Sequence, residues 1–161
     1  MEIRAERPED NEAIARVTTA AFGGRHEEAA IVASLRRDGA LTVSLVLLED
    51  EAVIGHVAFS PVLIDGRACG WHGLGPVSVR PDRQRSGVGQ ALIIEGLARL
   101  RAKGAAGCVV LGDPAYYLRF GFANDPALRY ADAPAFAFQR LVFVGTPPAG
   151  RVEYHASFGG H

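Results

Sequence analysis

One stretch of the chain, VSVRPDRQRSGVGQAL from Val77 to Leu92, constrains the fold more than any other. Its apolar, β-branched start is typical of a strand, and a proline followed by a basic segment ends that strand. Two glycines, Gly87 and Gly89, then precede a pattern with helical periodicity. This order predicts a strand–helix crossover, in which the loop before the helix is a candidate binding site.

The rest of the chain alternates between helical and strand patterns. Helices are predicted at about residues 8–22, 27–37 and 87–103 and in PAYYLRFG. Strands are predicted in MEIRAE, LTVSLVLLED, AVIGHVAFSPVLI, GLGPVSV, GCVVLG, AFQRLVFV and RVEYHASF. The acidic turn Glu49–Glu51 makes the second and third strands a hairpin, the last two runs are predicted to pair with each other, and the crossover makes GLGPVSV and GCVVLG parallel neighbours.

We therefore expect an α/β (α+β) fold in a single domain, residues 1–161. Its mixed central sheet of about seven strands is splayed between the two central parallel strands and flanked by about four helices.

Composition argues against several classes of protein. The chain has 17 Lys+Arg and 18 Asp+Glu, a formal net charge of -1, which lacks the basic excess of a nucleic-acid binder. No apolar stretch reaches the ~20 residues that span a bilayer, and MEIRAERPED lacks the layout of a signal peptide. Cys69 and Cys108 lack metal-ligand spacing, and HEEAA from His26 has Ala30 where a zinc motif needs its second histidine. We expect a cytoplasmic protein with no metal, no nucleic-acid partner and no membrane partner, and we expect Cys108 to be a small core residue.

The loop around the two glycines is a candidate phosphate site. The start of a helix has amides without intrahelical partners and carries partial positive charge, and glycine lets an anion approach the backbone closely. Arg83 and Arg85 add positive charge. A dinucleotide fingerprint fails because Leu92 stands where Gly or Ala is needed, and a Walker A loop fails because it lacks Gly-Lys-Ser/Thr. The alternative is that the glycines only shape a tight turn.

The segment instead resembles the acetyl-CoA motif of the GNAT N-acetyltransferase family, V-x-P-x-x-Q/R-x-x-G-x-G/A. The defined places are held by Val79, Pro81, Gln84, Gly87 and Gly89. A second segment, YLRFGF at residues 117–122, resembles the family's later Y-x-x-x-G-F element, and the whole chain is most similar to the YhbS-like branch. The resemblance implies that backbone amides of the loop bind the pyrophosphate of acetyl-CoA. The residues concerned are Gln84, Arg85, Ser86, Gly87, Val88 and Gly89.

Pro76 stands in the strand that the crossover makes central. Because proline has no amide to donate, the strand is expected to bend away from its parallel neighbour at this point. The resemblance implies that the gap receives the pantetheine arm of CoA, which contacts the main chain of Val77 and Val79. The Val77 amide is the candidate that polarises the thioester carbonyl. A simple kink at a sheet edge is the alternative.

Acetyl transfer to an amine needs a neutral amine, a stabilised oxyanion and a proton for the leaving thiolate. Tyr117 matches the family's general acid, and a half-buried packing tyrosine is its alternative role. No carboxylate lies in GLGPVSV. Asp113, just past the next strand, is the first choice for the base, although a turn before Pro114 also explains it. Further candidates are His56, His72, Glu153 and His155.

The resulting prediction is an acetyl-CoA-dependent N-acetyltransferase in which an amine attacks directly in a ternary complex. The acceptor is a small-molecule or peptide amine, and FGGRHEE (residues 22–28) with the late strands is expected to build its site. Glu27 and Glu28 there either attract an amine or favour the helix dipole. A monomer or homodimer is expected. The alternative function is a non-catalytic acyl-CoA-binding regulatory module.

Overall fold

Two strands of 13 residues each form the middle of the molecule. The structure, a computed structural model, describes residues 1–131 and 133–159, so residues 132, 160 and 161 of the expected domain lie outside the described residues. The strands are β1 (Glu2–Ala5), β2 (Val43–Glu49), β3 (Ala52–Ile64), β4 (Arg67–Val79), β5 (Gly107–Leu111), β6 (Ala123–Asn124), β7 (Leu128–Arg129), β8 (Phe138–Val142) and β9 (Gly150–Glu153). The helices are α1 (Asn11–Ala21), α2 (Glu27–Arg37), α3 (Val88–Ala102) and α4 (Pro114–Tyr117).

The sheet follows the order β1-β2-β3-β4-β5-β8-β6, and β9 joins the far end of β3 and pairs with β7. Neighbouring strands are antiparallel except for β4 with β5 and β7 with β9. The mixed α/β sheet with four α-helices is therefore confirmed for the described residues. None of the helices in this part of the chain has the length and apolar character needed to cross a membrane.

The last strands differ from the sequence prediction. β8 and β9 do not pair with each other: β8 pairs with β5 and β6, whereas β9 pairs with β3 and β7. The reason is the availability of free edges. The pairing of β2 with β3 ends at Phe59, so the end of β3 accepts β9, while the outer edge of β5 accepts β8.

The helices cover both faces of the sheet. Leu45 and Leu47 of β2 pack in the main core with α3, while the intervening Val46 packs with Ile14 of α1 and Val32 of α2, as expected when successive side chains of a strand point to opposite faces. Cys108 lies in the main core and is fully buried, as predicted.

α3 lies unusually close to β3. A Cβ atom at Gly96 would lie 2.7 Å from Cζ of the buried Phe59. The absence of a side chain at Gly96 therefore sets the distance between α3 and the sheet.

The two central parallel strands separate where the sequence predicts. β4 and β5 pair only from Trp71 with Gly107 to Gly73 with Val109. β4 continues to Val79 with β3 on one side, and no described strand pairs with this half of β4 on the other side. The gap therefore begins after Gly73, within the predicted strand GLGPVSV and three residues before Pro76, and the expected splay is confirmed.

Candidate active site

The loop between β4 and α3 presents a run of unpaired amides. Arg85 and Gly87 have φ values of 64° and 89°, and α3 begins at the next residue, Val88. The amide of Ala91 makes a 3.0 Å hydrogen bond to the Gly87 carbonyl. Within the described residues, the amides of residues 85–90 make no hydrogen bond of ordinary geometry to a protein acceptor. Such a run at a helix start is suited to bind an anion.

Side chains of the loop hold its shape and leave these amides free. Gln84 donates from Nε2 to the Val79 carbonyl at 3.1 Å, and the Ser86 hydroxyl donates to the Arg83 carbonyl. Arg83 donates from Nε to Oε1 of Glu49 at 2.8 Å. The sequence analysis assigned the charge of Arg83 to the phosphate site. In the structure Arg83 instead forms an ion pair with Glu49, which attaches the loop to the end of β2.

The gap beside β4 is lined by amides as well as by side chains. Arg80 donates its amide to the Ile54 carbonyl of β3 at 2.8 Å. Because successive amides of a strand point to opposite edges, those of Val77 and Val79 point away from β3, towards the gap. A methyl group on Gly89 would lie 3.5 Å from Cγ2 of Val79 and 3.9 Å from Cγ1 of Val77. The gap and the loop amides are therefore continuous.

Two adjacent tyrosines lie in α4, the short helix that follows β5. The rings of Tyr116 and Tyr117 are perpendicular, with centroids 5.0 Å apart. Tyr117 packs against Gly112 and Phe122, and burial raises the pKa of Tyr117 to about 12. A methyl group on Gly89 would lie 3.9 Å from the hydroxyl oxygen of Tyr116, so Tyr116 borders the gap. The sequence analysis missed this role, because the family motif marks only Tyr117.

Asp113 occupies the turn position that was its alternative role. Its exposed carboxylate accepts a 3.0 Å hydrogen bond from the Ala115 amide and thereby caps α4. Of the other candidate bases, Glu153 pairs with Leu63 at the far end of β3, and His155 lies with Nε2 3.4 Å from Asp38 Oδ2. These two residues are therefore not brought to the loop.

Tyr154, a residue that the sequence analysis did not single out, lies at the point where β4 and β5 separate. A methyl group on Gly73, the last residue of β4 that pairs with β5, would lie 2.5 Å from Cε2 of Tyr154. The Tyr154 ring also packs against Tyr130 at 4.8 Å and Phe158 at 5.2 Å between centroids. The sequence analysis placed Tyr154 inside the predicted strand RVEYHASF, whereas β9 ends at Glu153 and Tyr154 follows it.

The segment after β9 folds back onto α2. The hydroxyl groups of Ser157 and Ser34 lie 2.6 Å apart, and His155 contacts Asp38 at the end of α2. The segment after β9 and α2 therefore build one side of the molecule together.

The sequence profile of the acetyltransferase (GNAT) domain matches residues 2–124. The chain belongs to the GNAT acetyltransferase family. This GNAT chain is 40% identical over 165 residues to the "Uncharacterized N-acetyltransferase YhbS" of Escherichia coli strain K12, covering 98% of both chains.

Solved GNAT structures share its fold over nearly the whole chain. A GNAT family acetyltransferase from Brucella melitensis in complex with acetyl-CoA is 52% identical, with a TM-score of 0.87 and coverage of 98% of this chain and 97% of that chain. Escherichia coli YhbS in complex with CoA is 39% identical, with a TM-score of 0.92 and coverage of 98% and 91%. The predicted family and enzyme class, an N-acetyltransferase of the GNAT family, are confirmed.

Proposed function

We propose that the protein transfers an acetyl group from acetyl-CoA to an amine by direct attack in a ternary complex. The observation that carries the proposal is the run of free amides at residues 85–90, continuous with the gap beside β4. A diphosphate on these amides and a pantetheine arm in the gap match the shape and polarity of the site. The GNAT structures described with acetyl-CoA and CoA support the same choice of ligand.

The residues assigned to the donor are those of the loop and of the exposed edge of β4. The amides of Arg85, Ser86, Gly87, Val88 and Gly89 bind the pyrophosphate, and Gln84 supports the loop through its side chain. In the gap, the main chain of Val77 and Val79 contacts the pantetheine arm, and the Val77 amide stabilises the oxyanion.

Tyr117 donates a hydrogen bond to the departing thiolate. With its pKa raised to about 12, Tyr117 stays protonated at neutral pH. The thiol form of CoA has a pKa of about 8.5, so complete proton transfer from Tyr117 to the thiolate is unfavourable. Tyr117 therefore stabilises the thiolate mainly by donating a hydrogen bond until the amine loses its second proton. Asp113 stays the sequence-based candidate for the base, although its carboxylate serves as a helix cap. The amine acceptor, the monomer or homodimer state and the cytoplasmic location stay predictions.

Ligand-induced stabilisation tests the donor site. Acetyl-CoA at 100 times its Kd should add about 2.7 kcal/mol to the free energy of unfolding, which raises Tm in a thermal-shift assay. NAD and ATP serve as matched nucleotide controls and should give smaller shifts at the same concentration. Stabilisation by NAD or ATP but not by CoA would contradict the proposal.

An acceptor screen that follows CoA release tests catalysis. Protein lysines, peptide N-termini, polyamines, aminoglycosides and amino acids form the panel. Tyr117→Phe should keep the CoA-induced shift in Tm and lower kcat by about 100-fold for any accepted amine. Tyr116→Phe is the matched control and should lower kcat less, whereas the reverse order would assign the hydrogen-bond donor to Tyr116. Binding of CoA without turnover across the panel would favour the non-catalytic module.

A further inference from the structure

A line of polar side chains crosses the sheet beneath α1 and α2. Arg36 of α2 donates to Glu6 from Nε to Oε2 at 2.7 Å and from Nη2 to Oε1 at 2.9 Å. Ser44 of β2 donates to the same Oε1 at 2.5 Å, and its Oγ lies 2.8 Å from Nε2 of His56 on β3. His56 is fully buried. These hydrogen bonds and the burial together determine the tautomer and the protonation state of His56.

The hydrogen bonds fix the tautomer of His56. The Ser44 hydroxyl has one proton and donates it to Glu6, which as a carboxylate only accepts. Ser44 Oγ must therefore accept its second hydrogen bond, so Nε2 of His56 carries the proton. In the neutral ring the lone pair is consequently on Nδ1. Nδ1 has no hydrogen-bond partner among the described residues.

A second buried polar group without a hydrogen-bond partner lies on the next strand. Ser78 of β4 is paired directly opposite His56, so both side chains leave the same face of the sheet about 5 Å apart. Ser78 is 1% exposed, and its hydroxyl has no partner within the described residues either. A single water molecule between the paired residues would satisfy both groups. Ser78 also adjoins Val77, whose amide points to the gap.

The charges around His56 favour its neutral form. Burial lowers the pKa of His56, Glu6 opposes this effect, and Arg36 adds to it. The neighbouring strands contribute hydroxyl groups rather than charges at the residues beside His56: Ser44 of β2, which is hydrogen-bonded to it, and Ser78 of β4, which is paired with it. On α1, which packs on β3, the buried Thr18 is also uncharged. His56 is therefore a neutral imidazole at pH 7, with its lone pair on Nδ1.

From this geometry we infer that His56, acting through the Ser78 hydroxyl, accepts the proton that the acceptor ammonium loses before it attacks acetyl-CoA. The inference rests on the proposed function and selects His56 as the base in place of Asp113, the first choice from the sequence. One N–H bond of the ammonium breaks and its proton passes to the Ser78 hydroxyl, whose own proton passes through a bridging water molecule to Nδ1, because Ser78 and Nδ1 share no direct hydrogen bond. The freed lone pair forms the N–C bond, and the C–S bond breaks with its electron pair on sulfur.

The protons balance over the whole reaction. The second proton of the amine ends on the thiolate through the Tyr117 hydroxyl, which gives the amide and free CoA. His56 holds the first proton as an imidazolium, with its Nε2–H already bonded to Ser44, and returns it to solvent through the emptied site. The net product is one proton per turnover, and no oxidant or metal is required.

The pH dependence of kcat tests the inference with the best acceptor from the screen. The wild type should show an acidic limb that reports the titration of His56. Gln at this position keeps a donor near Nε2 but does not titrate, so His56→Gln should lose the limb and lower kcat about 100-fold. His72→Gln, the histidine variant on the neighbouring strand, should keep the limb. CoA-induced shifts in Tm should be equal in all three proteins, which shows that each is folded.

Two further measurements distinguish a loss of catalysis from a loss of folding. Ser78→Ala removes an unsatisfied buried hydroxyl, so it should not lower Tm, yet it should lower kcat by at least about 10-fold. NMR of 15N-labelled histidine should place the proton of the neutral ring on Nε2. A proton on Nδ1, an unchanged kcat in Ser78→Ala or a retained limb in His56→Gln would each overturn the inference and leave the proposed function intact. A wild type that binds CoA but acetylates no amine would instead remove the proposed function, and the inference with it.

Discussion

Gly87 and Gly104 form a matched pair that separates backbone strain from ligand binding. Their φ values are 89° and 88°, and a Cβ atom at either position would meet no other atom within 4 Å. An L-residue in this left-handed conformation costs about 1–2 kcal/mol. Gly87→Ala and Gly104→Ala should therefore destabilise the free protein equally, and each kcal/mol lowers Tm by about 2–4 °C in a chain of this size.

Only Gly87 lies within the run of free amides, whereas Gly104 follows the other end of α3. Under the proposed function, a methyl group on Gly87 stands beside the amides assigned to the pyrophosphate and should hinder its approach. With CoA at 100 times the wild-type Kd, the wild type and Gly104→Ala should gain about 2.7 kcal/mol. A tenfold weaker complex gains only about 1.4 kcal/mol at that concentration, so the CoA-induced shift of Gly87→Ala should be about half as large.

Thermal-shift curves with and without CoA, supported by calorimetric titration, measure both effects in the same samples. Equal Kd values for CoA in Gly87→Ala and the wild type would refute the assignment of the pyrophosphate to the amides of residues 85–90. An equal loss of affinity in Gly104→Ala would show that strain in α3, rather than contact at the loop, controls binding.

Gly96→Ala overpacks the core against Phe59 and should lower the free energy of unfolding by about 1–3 kcal/mol in urea; Gly96→Ala combined with Phe59→Leu should recover part of the loss. Burial opposes ionisation of Glu6, but hydrogen bonds outweigh it and hold the pKa of Glu6 well below its ordinary 4.5. A lowered folded-state pKa stabilises the fold above pH 4.5, so the Tm difference between the wild type and Glu6→Gln should be largest near neutral pH and shrink as the pH falls below 4.5. A thiol reagent should modify the exposed Cys69 in the native protein but not Cys108, because that thiol is buried and burial raises its pKa.

Each of these outcomes has a clear opposite. Unchanged stability in Gly96→Ala would mean that α3 does not approach β3 as closely as described. A difference between Glu6→Gln and the wild type that does not vary with pH would exclude the ionised carboxylate as its cause. Equal reaction rates of both thiols would contradict the burial of Cys108.

Local patterns in the sequence were sufficient to predict most of the helices and strands and the loop between β4 and α3. The predicted helices at 27–37 and 87–103 agree with α2 and with α3 (Val88–Ala102), because Gly39 and Gly104 mark their ends locally. Pro76 indicated the strand in which the gap lies but not where the gap starts, because β4 and β5 already separate after Gly73.

Features that depend on distant packing could not be predicted. The partners of β8 and β9 depend on which edges the earlier strands leave free, and that is a property of the assembled sheet. The ion pair of Arg83 with Glu49 joins residues 34 positions apart, so a local reading assigned the charge to the phosphate site. Tyr116 and Tyr154 acquire their places at the gap only through tertiary contacts.

The contact of Ser157 with Ser34 joins residues 123 positions apart in the sequence. The strands β2 to β5 and the helix α3, which surround the loop and the gap, occupy by contrast the continuous stretch from 43 to 111. Because the entropic cost of closing a loop grows with its length, the contact of Ser157 with Ser34 costs more chain entropy to form than the strand pairings within residues 43–111.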